Sequence, residues 1–363
     1  MTDHIHSSIR SDSPVIVEVT RGTLVESRHR VHAVVADAAG EIVHAWGEPD
    51  REIYPRSAIK PLQAMALIET GTADRWGLND ERIALACASH SASAAHVMAV
   101  EAWLSDLGLG EGDLECGPQV PGDEMAANGL IKRGEAPCKL HNNCSGKHSG
   151  FLATALHLGE PTAGYIQADH PVQKRLYDVL SEMGGAELSG TGRGVDGCGI
   201  PVYGMPLSAL ARAVAKMAGP DAAKLGPVRT AAVTRIRESM AKHNFMVSGR
   251  GRLDVAAMSA GIATAKRTGA PVFATKTGAE GVHTAILPAH AGRPALGIAV
   301  KAEDGTKRAS DVVMAHLLAW LGAVDADAGK AELAPFLEMP VTNWEGSVIG
   351  QVRPEAGWNR AGE

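Results

Sequence analysis

The sequence predicts an α/β (α+β) fold in which an antiparallel sheet is built from both chain ends and joined by a mainly helical lobe. Strand patterns occupy residues 14–56, helical patterns and long loops follow over about 57–249, and strand patterns return over about 250–325. Strands that flank a helical insert pack most simply as one sheet. The 363 residues are too many for an average single core, so we expect one two-lobed unit over residues 1–363.

Several strands are indicated by β-branched and aromatic runs that end at glycine-containing turns. The first three form a predicted antiparallel meander over 15–20, 31–35 and 41–46. The later strands are predicted at 271–278, 283–287 and 295–300. A closing helix presents apolar residues at i, i+4, i+7 and i+8, namely Val313, Leu317, Trp320 and Leu321. The chain beyond Val324 shows no distinctive pattern.

The middle of the chain alternates between helical patterns and loops. Helices are predicted from near Ser57 and over 96–107, 144–156, 171–183, 206–217 and 225–246. Residues 82–87 form a short apolar segment, interpreted as a strand that ends near Ser89. Long loops over a site are expected at 108–143, and a glycine-rich loop is expected at 190–204.

Composition excludes several classes of partner. Hydrophobic residues make up 45% and charged residues 21% of the chain, which is typical of a soluble globular protein. The net charge is -6 and no basic run is present, so nucleic acid is not an expected partner. The first thirteen residues lack an apolar core, and no apolar stretch approaches the roughly 18 residues that span a bilayer. We therefore expect a cytoplasmic protein with no membrane partner.

Ser57 and Lys60 stand three residues apart before an apolar run. On a helix the two side chains share one face, and a neutral lysine is able to deprotonate a serine. The same Ser-x-x-Lys spacing opens the active-site helix of penicillin-recognising enzymes. The alternative is that Ser57 only caps the helix and Lys60 is solvated.

The triplet Lys276-Thr277-Gly278 falls on a predicted strand after the helical insert. In penicillin-recognising folds such a triplet borders the active-site helix, and its lysine supplies positive charge. Ser89 either lies near Lys276 or is a buried serine at a strand end. Adjacent residues on a strand point to opposite faces, so Ser89 and His90 are not expected to act as a pair.

Two cysteines suggest a metal site. Cys144 stands at a predicted helix start with Lys147 one turn on, and Cys198 lies in the glycine-rich loop. A helix N-terminus lowers the pKa of a thiol, and two thiolates in a cytosolic protein indicate zinc more than a disulfide.

Five segments together resemble the bacterial L-asparaginase II family, the rhizobial or class 3 asparaginases, over about residues 14–324. They are Tyr54-Pro55-Arg56-Ser57-Ala58-Ile59-Lys60-Pro61, Cys87-Ala88-Ser89-His90-Ser91, His141-Asn142-Asn143-Cys144-Ser145-Gly146-Lys147-His148, Asp196-Gly197-Cys198-Gly199 and Lys276-Thr277-Gly278. The resemblance implies a fold like that of serine β-lactamases and glutaminases, a homodimer, and hydrolysis of L-asparagine to L-aspartate and ammonia.

The resemblance also implies roles for individual residues. Ser57 with Lys60, and Ser89 with Lys276, would form two catalytic Ser-Lys pairs, in which either serine is a candidate nucleophile. Zinc would be held by Cys144, Lys147 and Cys198. We expect this zinc to be structural or affinity-tuning and not to perform the chemistry. Arg56 is a candidate for binding the substrate α-carboxylate because its N–H donors suit a carboxylate, and Asp196 is a candidate for binding the α-ammonium.

Two other functions remain open on the sequence. One is a serine amidase of the same fold, glutaminase-like or β-lactamase-like, that acts on another amide. The other is a zinc- or thiol-based sensor that retains the fold without catalysis. Release of ammonia from asparagine would distinguish an asparaginase from both of these alternatives.

Overall fold

The computed structural model describes residues 13–358. Residues 1–12, which hold most of the segment where no secretory signal is expected, lie outside this range. Within residues 13–358 no helix combines the length and apolarity needed to cross a bilayer. The strands are β1 Val15–Arg21, β2 Leu24–Asp37, β3 Ile42–Trp46, β4 Glu52–Ile53, β5 Arg193–Val195, β6 Pro201–Tyr203, β7 Met205–Pro206, β8 Ala274–Thr277, β9 Val282–Leu287, β10 Leu296–Ala302, β11 Met339–Thr342 and β12 Val348–Pro354.

The helices of the first half are α1 Lys60–Gln63, α2 Met65–Glu69, α3 Thr72–Arg75, α4 Asp80–Ala86, α5 Ala94–Asp106, α6 Glu124–Arg133 and α7 Ser145–Leu158. Those of the second half are α8 Pro171–Gly184, α9 Leu207–Ala218, α10 Pro227–Lys242, α11 Asn244–Ser248, α12 Leu253–Thr268, α13 Lys307–Trp320 and α14 Lys330–Leu337.

The main sheet is antiparallel and combines strands from both ends of the chain, as predicted. Its order is β11-β12-β1-β2-β10-β9-β8, and β3 also pairs with β2. Strands β1, β2 and β3 form the predicted meander. The helices between β4 and β8 form the helical part, so the predicted α/β (α+β) architecture is confirmed.

The central strands of the sheet are buried on both faces because alternate side chains enter two different hydrophobic clusters. Along β2, Ala33 and Val35 face a cluster that includes α13, whereas Val34 and Ala36 face the cluster of the helical part. Helix α9 packs on β2, β9 and β10. At Gly297 of β10 an added Cβ would lie 2.2 Å from the Ala211 carbonyl oxygen, so only glycine permits this approach.

Two local predictions were wrong. Residues 82–87 do not form a strand, since they lie in α4 and its C-terminal residue Cys87. The predicted loop over residues 108–143 contains helix α6. The region after Val324, for which no structure was predicted from the sequence, supplies α14, β11 and β12, and β12 pairs with β1.

Candidate active site

The segment that carries Ser57 begins with a strained residue. Arg56 has a φ of 50°, which is a costly left-handed conformation for a residue with a Cβ. A 3₁₀ turn then covers Arg56–Ile59, and α1 follows from Lys60. At Gly278 an added Cβ would lie 2.9 Å from the Pro55 carbonyl oxygen, so this glycine allows the end of β8 to lie against the turn. The helix expected near Ser57 is thus present as a 3₁₀ turn and a short α-helix.

Ser89 lies between two buried lysines. Lys60 Nζ and Lys276 Nζ each donate a hydrogen bond of 3.0 Å to Ser89 Oγ. Lys60 Nζ also donates to the Ala88 carbonyl and contacts Cys144 Sγ at 3.2 Å. Lys276 Nζ also donates to the Thr277 carbonyl at 2.6 Å. The structure therefore joins Lys60, Ser89 and Lys276 in one continuous chain of hydrogen bonds.

Backbone contacts fix Ser89 in this place. Its N–H donates to the Val247 carbonyl at 2.9 Å, and the N–H of His90 donates to the Asn143 carbonyl at 3.2 Å. The His90 ring is hydrogen-bonded to Ser145 Oγ at 2.9 Å rather than to Ser89. Ser89 and His90 lie in a loop after α4, so the strand argument for their separation was wrong.

Ser57 lies where two cavities of about 240 Å³ each meet. Both cavities are also lined by Gln119, Asn143 and Ala279. Within residues 13–358 no hydrogen bond joins Ser57 to Lys60, although Lys60 follows it by one turn. Ser57 Oγ is therefore open to a molecule that enters from either side.

The two candidate substrate-binding residues contact each other. Arg56 Nε and Nη2 donate to Asp196 Oδ1 at 3.2 and 3.0 Å. Burial raises the pKa of Asp196, but the charges of Lys147 and Arg56 outweigh it and hold that pKa below its usual value. Both side chains line one of the two cavities beside Ser57. A guanidinium and a carboxylate are thus presented together at one side of the serine.

Cys144, Lys147 and Cys198 converge next to this ion pair. Cys144 caps α7 at its N-terminus, as predicted, and Lys147 Nζ donates to Cys198 Sγ at 3.1 Å. A hydrogen bond from Cys198 lowers the pKa of Cys144 well below its usual range, against the effect of burial. The same hydrogen bond, together with burial, raises the pKa of Cys198. The pKa values of the two thiols are therefore shifted in opposite directions.

The charge on Lys147 balances these sulfurs. Burial by itself would lower the pKa of Lys147, but Cys198 and Cys144 outweigh that effect and raise it. No cluster of three or more His, Cys, Asp or Glu side chains suited to a metal ion occurs in the part of the chain that the structure describes. The predicted set contains only two such residues and a lysine, and its soft sulfur donors and convergent amine fit zinc in chemical type.

The sequence of this chain also matches a known protein family. A family model described as L-asparaginase II matches residues 17–354. The chain belongs to the L-asparaginase II family. Members of this family are amidohydrolases, so the protein is an enzyme that hydrolyses C–N bonds. No curated protein matches the chain.

Solved structures share low similarity with this L-asparaginase II family member. Mglu in its native form is 18% identical with a TM-score of 0.42, and the match covers 87% of this chain and 71% of that chain. A β-lactamase from Sphaerobacter thermophilus is 14% identical with a TM-score of 0.39, covering 82% of this chain and 93% of that chain.

Sequence reasoning missed a buried cluster behind Lys276. Asp254 accepts hydrogen bonds from the Thr277 N–H at 3.1 Å and from Thr275 Oγ1 at 3.1 Å, and it contacts His283 Nε2 at 3.0 Å. Burial would raise the pKa of Asp254, but the hydrogen bond from His283 outweighs it and lowers that pKa strongly. No spacing motif marks Asp254, because its partners lie on strands more than twenty residues away. Asp254 lies in the first turn of α12, a helix that the sequence did not predict, so no local signal marked this residue.

Proposed function

We propose that this amidohydrolase is an L-asparaginase, which hydrolyses the side-chain amide of L-asparagine to L-aspartate and ammonia. The observation that carries the proposal is the position of Ser57. It lies between a cavity lined by Arg56 and Asp196 and the hydrogen-bonded chain of Lys60, Ser89 and Lys276. An amino acid whose α-groups bind on one side places its side-chain carbonyl at the serine.

Substrate recognition follows from the paired charges. Arg56 binds the α-carboxylate through its fork of N–H donors, and Asp196 binds the α-ammonium. Their side chains are 25% and 15% exposed, so both are accessible from the cavity and also partly shielded from water. Charge-assisted hydrogen bonds are stronger in such surroundings than in bulk water. The ion pair between them keeps both groups oriented before substrate arrives.

Catalysis begins when Ser57 Oγ attacks the amide carbon. The serine proton passes to Lys60, the C–N bond breaks, and the departing nitrogen takes up a proton to leave as ammonia. Ser89 carries protons between Lys60 and Lys276, because its hydroxyl contacts both amines. Water then attacks the aspartyl ester, and its proton returns to Ser57. Lys60 acts as a base only after it releases a proton along this chain.

Zinc, if bound, would be held by Cys144, Lys147 and Cys198. It would supply a positive charge beside the cavity that holds the substrate α-groups, and so would tune affinity. A lysine coordinates zinc only when it is neutral, and a cysteine only as a thiolate. Zinc binding must therefore release the protons of Lys147 and of the cysteine thiols. The chain's own serines and lysines already provide a nucleophile and a base.

The predicted homodimer and cytoplasmic location stay predictions based on the family resemblance and on composition.

A coupled ammonia assay on the purified full chain tests the proposal, with asparagine and glutamine as substrates. Glutamine carries one more methylene, which displaces its carbonyl from Ser57, and a shift near 1 Å is able to cost about 10²-fold. We expect kcat/KM to be about 10²-fold higher for asparagine. Equal values for the two amides would remove the substrate assignment, and no ammonia from either would contradict the asparaginase reading. Hydrolysis of nitrocefin alone would indicate a β-lactamase-like enzyme.

A further inference from the structure

The second cavity beside Ser57 is unlike the first in its charges. It has a volume of about 240 Å³ and is lined by the cationic side chains Arg252, Lys276 and Lys307, together with Ser57 and Ser89. Asp254 is the only carboxylate lining it in the described part of the chain. The oxygens of Asp254 are occupied by Thr275, Thr277 and His283. The cavity is therefore suited to an anion.

Two polar groups in this cavity lack partners. Across residues 13–358 neither a hydrogen bond nor an ion pair engages the Arg252 guanidinium. Ser248 Oγ is buried without a hydrogen-bond partner in the same range, and its residue is 4% exposed. A buried hydroxyl without a partner costs free energy, so a ligand that satisfies it is favoured. Lys307, by contrast, is paired with Asp311.

The loop opposite Arg252 leaves room for the guanidinium. An added Cβ at Gly122 would lie 3.3 Å from Arg252 Nη2 and 3.8 Å from the Ser91 Cα. Gly122 and Gln119 both line the cavity. The Arg252 guanidinium therefore offers its N–H donors at the cavity wall, and such donors suit a carboxylate.

The size of the cavity exceeds what asparagine hydrolysis needs. With the α-groups held by Arg56 and Asp196 in the first cavity, the second cavity, which meets the first at Ser57, is the space left for the departing nitrogen. Ammonia is close in size to water, whose share of the liquid is about 30 Å³. A cavity of about 240 Å³ accommodates a much larger leaving group.

We propose that the second cavity binds the carboxylate of an amino acid whose nitrogen is joined to the side-chain carbonyl of aspartate, so that the enzyme also hydrolyses β-aspartyl dipeptides. This inference rests on the proposed asparaginase function and extends it to a second substrate class. Arg252 is the residue that recognises the additional carboxylate, and Ser248 donates a hydrogen bond to it.

The reaction has the same balance as asparagine hydrolysis. Ser57 Oγ forms a bond to the β-carbonyl carbon, the C–N bond breaks, and the serine proton is delivered to the nitrogen of the departing amino acid. Water then adds to the aspartyl ester. The ester C–O bond breaks, Ser57 regains its proton, and aspartate leaves. One water is consumed, and one aspartate and one amino acid are formed.

The test compares three substrates with the full-length wild-type protein: asparagine, β-aspartylglycine and β-aspartylglycinamide. Released ammonia, glycine and glycinamide are quantified directly. The glycinamide compound has the same size but lacks the carboxylate. We expect β-aspartylglycine to be cleaved with kcat/KM at least about tenfold above that of the glycinamide compound, since charged hydrogen bonds are the stronger ones. Cleavage of both at equal efficiency would overturn the proposal.

Variants assign the effect to Arg252. Arg252→Gln should lower kcat/KM for β-aspartylglycine at least about tenfold more than it lowers that for asparagine. Arg250→Gln, which changes a neighbouring exposed arginine, should leave this ratio as in the wild type. Equal losses on both substrates would show that Arg252 serves asparagine itself, and would overturn the proposal. Ammonia from asparagine without any glycine from the dipeptide would overturn it while leaving the asparaginase function standing.

Discussion

Lys276 is the residue whose environment most clearly departs from that of an ordinary lysine. It is 1% exposed, and burial lowers its pKa to about 8, although the Asp254 carboxylate acts in the opposite direction. A lysine with this pKa exchanges protons near neutral pH. It is therefore suited to pass protons to and from Ser89, with which it shares a hydrogen bond.

This pKa predicts the pH dependence of turnover. Below about pH 8 Lys276 is protonated and accepts no proton, whereas above that pH it is neutral. We expect kcat/KM for asparagine to rise with pH through about 8 and then level off. Lys276→Arg should lose this inflection because arginine stays charged, and should cost about 10²–10⁴-fold in rate. A wild-type profile that is flat across about pH 8 would contradict the role of Lys276.

Cys144, Lys147 and Cys198 are expected to bind a zinc ion that does not take part in bond breaking. Removing zinc with a chelator should raise KM for asparagine more than it lowers kcat, because no bond-breaking step needs the metal. Elemental analysis should find zinc in the wild type and in Cys138→Ser, whose cysteine lies outside the cluster, but not in Cys198→Ser. An apo-enzyme without turnover at saturating asparagine, restored by added zinc, would show that the metal is catalytic.

At this scale the sequence identified the residues but not all of their contacts. The Ser-x-x-Lys spacing predicted that Lys60 pairs with Ser57. In the structure its ammonium instead contacts Ser89 and the Ala88 carbonyl just beyond α4. The 3₁₀ turn before Lys60 and the end of a helix distant in sequence decide this direction. Neither is visible in the spacing of Ser57 and Lys60.

At the scale of elements, α12 and β9 are joined through Asp254 and His283. Asp254→Asn should lower the free energy of unfolding by about 3–5 kcal/mol, the cost of breaking a buried charge pair. Asp178→Asn is the matched control, because Asp178 is exposed and forms no ion pair with the residues that the structure describes; it should cause little change. Urea unfolding monitored by circular dichroism measures both. Equal effects of the two substitutions would show that the buried pair does not stabilise the junction.

The pair also has a defined pH window. The pKa of Asp254 is lowered, so its contribution is present above its unfolded value near 3.9 and is lost as the pH falls toward its folded value. Burial lowers the pKa of His283, but the hydrogen bond to Asp254 and the charge of Asp311 outweigh it and raise that pKa. Its contribution is therefore present below about 6.5 and is lost at higher pH. The stability difference between wild type and Asp254→Asn should therefore be greatest between about pH 4 and about pH 6.5.

The elements that escaped prediction share a physical cause. In α4, the run Ile83-Ala84-Leu85-Ala86 is apolar on every side because the helix is buried, and periodicity cannot separate such a run from a strand. In α12, alanine, glycine and serine alternate with few large side chains, so the sequence shows no apolar stripe. Helix α13 was predicted from its apolar spacing, although residues 309–315 are buried in succession and Trp320 is 40% exposed.

At the scale of the whole molecule, the C-terminal region completes the sheet and covers one hydrophobic cluster. Strand β12 pairs with β1, and Leu333 and Val352 are buried in the cluster that contains α13. Trp46 Nε1 also donates to the Trp358 carbonyl at 2.9 Å. These contacts join distant parts of the chain, so no local sequence pattern beyond Val324 predicted them.

A chain that stops after Val324 should therefore be strongly destabilised. Burying one Leu or Val side chain contributes about 1.5–3 kcal/mol, so losing Leu333 and Val352 removes about 3–6 kcal/mol from a stability of about 5–15 kcal/mol. We expect a clear drop in Tm or insoluble protein. Trp344→Ser, at a fully exposed position of the β11–β12 hairpin, should keep the wild-type Tm. An unchanged Tm after truncation would show that this region does not stabilise the sheet.

The identity of the nucleophile is the central claim, and trapping the ester intermediate tests it most directly. Wild-type enzyme is mixed with asparagine, quenched with acid and analysed by peptide mass mapping. We expect an aspartyl ester on the peptide that contains Ser57, and no ester and nearly no ammonia from Ser57→Ala. Lys60→Met should lower turnover about 10²–10⁴-fold, as expected for a lost general base. An ester on Ser89, or a Ser57→Ala variant that keeps about a tenth or more of wild-type turnover, would contradict the account.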